Sequence, residues 1–315
     1  KDNEEQTILF KLCEKGNLDI VSTLINNYEQ FELDETDKNG KNILAYAVES
    51  ENVDLVQYLV SLDKITLTNK DKEGKTILQD ACEKGNYEMV KFLVELDEFN
   101  LYDKDEEGKT ILYHAISSGK STVIKYLVNL DDVDLTATTE EGETLLDAVF
   151  ESYHPNPEIF KYIANLNKID LNAKKKGWAN DKYTILHTAV SKNNLEIIKF
   201  ITSLKDIDLK AKDGSGNNAL HIACEKGDLE IVKHLVSLKV YKMKDVNDSE
   251  QNYLHLACKS GKLNVVKYLV DLKKIDYKAV DNEDKTILNY AFESENLNLI
   301  KYIIGLKDLD LTAVD

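Results

Sequence analysis

Four cysteines, six histidines and a series of acidic, glycine-containing loops are the groups in this chain whose chemistry could amount to a site. Cys13, Cys82, Cys224 and Cys258 stand in LCEKG, ACEKG, ACEKG and ACKSG, always three residues before a glycine. Cys224 and Cys258 share that context 34 residues apart, which puts them on neighbouring equivalent elements, roughly 10 Å apart at ordinary helix spacing. A disulfide needs Cα atoms within about 7 Å. The thiols therefore read as small buried apolar groups, and four free thiols fit a reducing, cytoplasmic-type compartment. His187, His221 and His255 also recur every 34 residues, so they cannot converge on one metal at ordinary ligand distances.

The acidic loops suggest calcium, and the count rejects it. Residues 103–108 (DKDEEG) and 69–74 (NKDKEG) resemble the first half of a calcium loop. Such a loop needs a bidentate Glu at its twelfth position, and those positions hold His114 and Asp80. Asp213-Gly214-Ser215-Gly216 lacks the third glycine and the Lys-Ser/Thr of a phosphate loop. Asn247-Asp248-Ser249 matches a glycosylation acceptor, a single weak match. His114, His154 and His234 are scattered, and no Ser, Cys or Thr has a His partner implied by local spacing. No catalytic residue, cofactor or metal is expected, and the chain reads as non-enzymatic.

Charge narrows the partners. The net charge is −17, and all 40 cationic side chains are Lys. Without Arg there is no planar fork for bidentate phosphate or guanine recognition. Nucleic acid and anionic membranes meet a repelling field overall, so the expected partner is a neutral or basic protein or peptide. No apolar run approaches the length of a bilayer-spanning helix, and no signal segment precedes the first helix. The chain opens on Lys1 rather than Met, so a piece of a longer protein is expected.

The elements that position these residues recur with a fixed period. Thr or Asn stands at Thr7, Asn42, Thr76, Thr110, Thr144, Thr184, Asn218, Asn252 and Thr286, with gaps of 35, 34, 34, 34, 40, 34, 34 and 34. That period marks a repeat array. Each unit opens on a turn such as DKNG or DKEG, where Asp precedes Gly by three residues. Thr or Asn then caps a short helix. Gly16, Gly85, Gly119, Gly227 and Gly261 end that helix, where positive φ is wanted. A second helix, such as LEIVKHLV, has apolar residues at three- and four-residue steps and buries one face. Its lysines (Lys91, Lys125, Lys161, Lys199, Lys233, Lys267, Lys301) form one solvated row. Between Thr144 and Thr184 lie six extra residues, with both prolines and the only Trp. Two are assigned to the helix–helix loop near His154 and four to the hairpin at residues 174–181.

With TILHTA at 184–189, NALHIA at 218–223, NYLHLA at 252–257 and GDLEIV at 227–232, the chain resembles the ankyrin-repeat family over essentially its whole length. The family's signature Pro is absent from every copy, which leaves the first turns less rigid. The resemblance implies an all-α solenoid: stacked ankyrin repeats, helix-turn-helix pairs with β-hairpin or turn tips, in a curved elongated array roughly 90 Å long at helix-packing distances. It also implies that His187, His221 and His255 tie each repeat to its neighbour by hydrogen bonds. The expected domain is 1–315, with repeats near 1–36, 37–70, 71–104, 105–138, 139–178, 179–212, 213–246, 247–280 and 281–315, as a monomeric array.

In that family the residue after the signature His borders the concave groove. Here the series includes Tyr46, His114, Ile222, Leu256 and Tyr290. Clustered exposed apolar groups mark recognition surfaces, so these residues and Trp178 of the inserted turn are the expected partner contacts. The expected function is a protein–protein interaction scaffold that uses turn tips and the first-helix face. The alternatives are the targeting or regulatory arm of a larger enzyme, toxin, effector or channel, and a structural spacer. Residues 286–306 keep the apolar set Ile287, Leu288, Ala291, Phe292, Leu299, Ile300, Ile303 and Ile304. The parent chain is therefore expected to continue past Asp315, which a gene product ending there would refute.

Overall fold

The computed structural model describes residues 3–28, 31–152, 155–176 and 182–306. Its contacts divide the chain into two compact units, Lys1–Ile159 and Phe160–Asp315. Unit 1 is a run of helix pairs: α1 (Ile8–Glu14) and α2 (Leu18–Asn27), α3 (Ile43–Glu49) and α4 (Val53–Ser61), α5 (Ile77–Lys84) and α6 (Tyr87–Glu95), α7 (Ile111–Ser118) and α8 (Ser121–Leu127), then α9 (Leu145–Glu151). The boundary falls inside α10 (Pro157–Ala164). First helices pack in line, α1 on α3, α3 on α5, α5 on α7 and α7 on α9. Neighbours on both sides explain why every residue from Ile77 to Cys82 of α5 is buried. Second helices bury only a stripe, such as Leu55, Val56 and Leu59 of α4, as their three- and four-residue spacing requires.

In unit 2 the rest of α10 is followed by a short antiparallel pair, β1 (Lys175–Lys176) and β2 (Lys182–Tyr183). This is the hairpin expected at residues 174–181; Trp178 and His154 lie outside the described residues. The helix pairs follow: α11 (Ile185–Ser191) and α12 (Leu195–Ser203), α13 (Ala219–Lys226) and α14 (Leu229–Ser237), α15 (Tyr253–Lys259) and α16 (Leu263–Asp271), α17 (Ile287–Glu293) and α18 (Leu297–Ile304). Again the first helices stack on one another, α11 on α13 on α15 on α17. In the last pair Ile287, Leu288, Ala291, Leu299 and Ile303 are buried, whereas Phe292 and Ile304 are exposed.

Local signals act largely where the spacing placed them. Asn42, Thr76, Thr144, Asn218, Asn252 and Thr286 cap their helices; Thr7 and Thr110 do not. At the first-helix ends Gly85 and Gly227 adopt φ +73° and +76°. At the same phase Glu51, Asn193 and Glu295 take the left-handed conformation with φ 60°, 57° and 56°, at a steric cost glycine does not carry. Second helices have caps of their own that the periodicity did not reveal. Asn52 Oδ1 accepts the Leu55 N–H, and its Nδ2 donates to Gly16 O at 2.8 Å. Asn296 repeats this geometry on Gly261 O at 2.7 Å. One side chain thus closes a helix end and ties it to the preceding pair.

The two units share this architecture but not its charge. Residues 1–159 carry 35 acidic side chains and 15 lysines, a net −20, whereas residues 160–315 carry 22 and 25, a net +3.

Candidate functional site

Most turns that open the repeats are built from one carboxylate; Thr139 Oγ1 and Asn247 Oδ1 take its place in two of them. Asp37 Oδ1 accepts the N–H groups of Asn39 and Lys41 at 2.8 and 3.0 Å. Asp105 does the same for Glu107 and Lys109 at 3.0 and 2.8 Å, and Asp281 for Glu283 and Lys285, both at 2.9 Å. Asp can do this because its short side chain reaches its own turn amides. Successive turns are also tied tip to tip. In unit 1 Lys72 N–H donates to Asn39 O, Glu106 N–H to Glu73 O and Glu140 N–H to Glu107 O, at 2.9 to 3.0 Å; in unit 2 Asp248 N–H donates to Ser215 O and Asn282 N–H to Ser249 O. The tips within each unit form a continuous, hydrogen-bonded row.

The expected exposed patch is corrected by this geometry. Tyr46, His114, Ile222, Leu256 and Tyr290 are all buried, at 3 to 7 % exposure. Three of them are struts for the turn aspartates. Tyr46 Oη donates to Asp37 Oδ2 at 2.7 Å, Tyr290 Oη to Asp281 Oδ2 at 2.5 Å, and His114 Nε2 lies 3.0 Å from Asp105 Oδ2. Ile222 and Leu256 occupy the same phase as apolar filler. Burial alone would raise the pKa of Asp37, but the bonds from Tyr46 and the turn amides outweigh it and hold it below the usual carboxylate value. Asp105 and Asp281 are held low in the same way. Burial, then the bond to Asp281, pushes the Tyr290 phenol up to about 12. Asp80 takes the strut position as a carboxylate. Burial, joined by Asp71 and Glu49, raises its pKa to about 6 against the pull of Lys41 and Lys75.

What the last two tips of unit 1, at 105–109 and 139–143, present is acid; the tips at 37–41 and 71–75 each carry two lysines. A cavity of about 410 Å³ is bordered by Glu106, Glu107, Glu140, Glu141, Glu143 and Glu151, with Lys109 as the one cation of its lining. Lys109 ion-pairs with Glu107, and Tyr113 Oη donates to Glu143 at 2.8 Å. A substitution within the repeat pattern creates this concentration. Lys41, Lys75 and Lys285 follow their turns and meet the first-helix glutamates Glu49, Glu83 and Glu293 at 2.5, 3.1 and 3.4 Å. Opposite Glu151, the corresponding position holds Glu143 instead of Lys.

The residues first suspected of chemistry have structural roles. All four cysteines are free and fully buried, and burial raises the Cys13 thiol to about 12. His187, His221 and His255 complete their helix caps: Thr184, Asn218 and Asn252 N–H groups donate to Nδ1 at 3.1 to 3.2 Å. His255 Nε2 reaches Ala279 O, 24 residues on, at 3.1 Å, which is the tie between repeats that the resemblance implied. His187 Nε2 and His221 Nε2 are buried without such a partner. Among the described residues no group of three His, Cys, Asp or Glu could hold a metal ion, and no helix is long and apolar enough to cross a membrane.

Comparison with known proteins agrees with this geometry. No curated protein matches the chain. The family model for ankyrin repeats (3 copies) matches residues 1–71, 64–139, 145–247 and 237–315, and ankyrin repeats are generally protein–protein interaction modules. Stacked helix pairs, aspartate-built turns and a family match running from end to end all agree: the chain belongs to the ankyrin-repeat family.

Proposed function

We propose that the chain is a non-catalytic recognition module of nine repeats that binds a basic segment of a protein partner on the turn tips of unit 1. The observation that carries this reading is the glutamate-lined cavity between the turns at 105–109 and 139–143. There Glu143 stands where Lys41, Lys75 and Lys285 each meet a first-helix glutamate, so the turn itself adds an acid in place of a lysine. The tip-to-tip backbone bonds support it further, because a rigid platform loses little conformational freedom on binding. The buried struts act indirectly: Tyr46 and His114 set the turns whose neighbours meet the partner. Complementary charge raises association rates and selects against acidic competitors.

Fluorescence anisotropy with a Lys-rich peptide and the full chain tests the reading. Glu140→Lys with Glu143→Lys is expected to weaken binding at least about tenfold at low salt, with helicity unchanged. Lys259→Glu, outside the cavity, should leave it intact. Binding that survives the Glu140/Glu143 reversal would refute the assignment.

A further inference from the structure

Unit 2 holds a site of opposite sign. A cavity of about 420 Å³ lies where the segment before the 213–217 turn meets its equivalent one repeat later, and Lys210, Lys212, Lys242 and Lys244 line it together with Asn218 and Asp245. All four lysines are exposed. Lys212 Nζ donates to Val246 O at 3.1 Å, which uses one of its three N–H donors. Asp245 is the one acid of the lining, and its Oδ2 is engaged by the Lys242 N–H at 3.0 Å and by Tyr253 Oη at 3.5 Å. Among the described residues, no carboxylate forms an ion pair with any of these four ammonium groups.

The repeat pattern does not demand this arrangement. At the phase of Lys210 and Lys244, unit 1 has Thr68 and Tyr102; at the phase of Lys242 it has Thr66 and Asn100. Lys212 is the one lysine of the four that unit 1 shares: at its phase Lys104 makes the same bond, to Thr138 O, and Lys70 ion-pairs with Asp103 at 3.4 Å. Four like charges around one concavity repel each other, and a concave wall focuses their potential on the space between.

We propose that this cavity binds a phosphomonoester dianion. Lysine ammonium groups act on phosphate as point charges with freely rotating donors, and a phosphomonoester supplies about −1.5 to −2 charge with three acceptor oxygens. The volume lies within the roughly 300–1,000 Å³ of small-ligand pockets. No aromatic side chain lines the cavity to stack a base, which disfavours single-stranded nucleic acid. This site shares no residue with the acidic tips of unit 1, so either reading can fail without the other.

Isothermal titration of the full chain with inorganic phosphate, a Gly/Ser peptide bearing one phosphoserine and its unphosphorylated form tests the proposal. Phosphate and the phosphopeptide should both bind saturably, the unphosphorylated peptide should not, and affinity should fall as pH drops below about 6, the second phosphate pKa. Lys210→Gln with Lys244→Gln should weaken binding at least about tenfold, by loss of two charge-assisted contacts, with circular dichroism unchanged. Lys259→Gln should have no effect. A phosphopeptide that binds more tightly than phosphate upholds the site and assigns it to a phosphorylated protein; equal affinities uphold it for free phosphate. The proposal falls if neither probe binds saturably, if the unphosphorylated peptide binds equally, or if the double variant binds as well as the parent.

Discussion

Units 1 and 2 stack the same helix pairs, close most of their turns with an aspartate (Thr139 and Asn247 take its place in one turn of each), and differ most in charge: net −20 against +3. The difference falls on positions the fold leaves open. The segments before the turns and the residues just after them vary from repeat to repeat, because turn geometry is held by the oxygen of the first turn side chain (Asp, Thr139 or Asn247) and the backbone. Glu143 in one unit and Lys210, Lys242 and Lys244 in the other are such substitutions. Stability in a repeat array is a sum over neighbouring pairs, so surface charge can be redistributed along it without a new core.

The same contrast reaches the interior and predicts opposite responses to acid. In unit 2, burial, joined by Lys212, lowers His221 to about 4 from 6.5, and burial also depresses His187 and His255. The folded state then holds fewer protons than the unfolded one below pH 6.5. Stability from His221 is fully present above pH 6.5 and is lost as pH falls towards 4, on the order of 3 kcal/mol. His221→Gln, which copies Gln79 at the same phase of α5, should flatten that loss; an unchanged profile of thermal unfolding against pH would contradict it.

In unit 1, Asp80 works the other way. Its raised pKa means the folded state holds the extra proton between pH 3.8 and about 6, so stability from this group falls as pH rises through that window. Asp80→Asn should therefore stabilise unit 1 at pH 7 by on the order of 2 kcal/mol and have little effect below about pH 4. Chemical denaturation at both pH values decides it.

Smaller effects follow from the struts. Tyr46→Phe and Tyr290→Phe each remove a hydrogen bond to a turn aspartate and should cost about 1–2 kcal/mol near neutral pH. Asp37 and Asp281 are held below their usual pKa by those bonds. Their stabilisation is present above the ordinary carboxylate pKa and fades as pH falls further, so the cost of each Tyr→Phe change should shrink in acid. The smallest expected change is a gain: Glu51→Gly and Glu295→Gly relieve left-handed backbone in otherwise equivalent positions, by about 0.5–1 kcal/mol each. A loss of stability in either would show that these side chains contribute more than their strain costs.

The fold was legible because period, caps and turn glycines all repeat at one interval. The site was less so. Tyr46, His114 and Tyr290 look exposed when a helix is read alone, and only the turn folded back against it covers them. The signal was present as spacing, since each lies nine residues after the aspartate it holds. The lysine cavity left no such trace. It joins residues from two repeats whose pairing depends on stacking, and the overall charge of −17 concealed a unit of opposite sign.

Residue-resolved amide exchange on the full chain, with and without a saturating Lys-rich peptide, tests the central claim most directly. Added protection is expected at turns 105–109 and 139–143, abolished by about 0.5 M salt through screening and by Glu140→Lys with Glu143→Lys. Protection confined to residues 206–246, or protection indifferent to salt and to those substitutions, would contradict it.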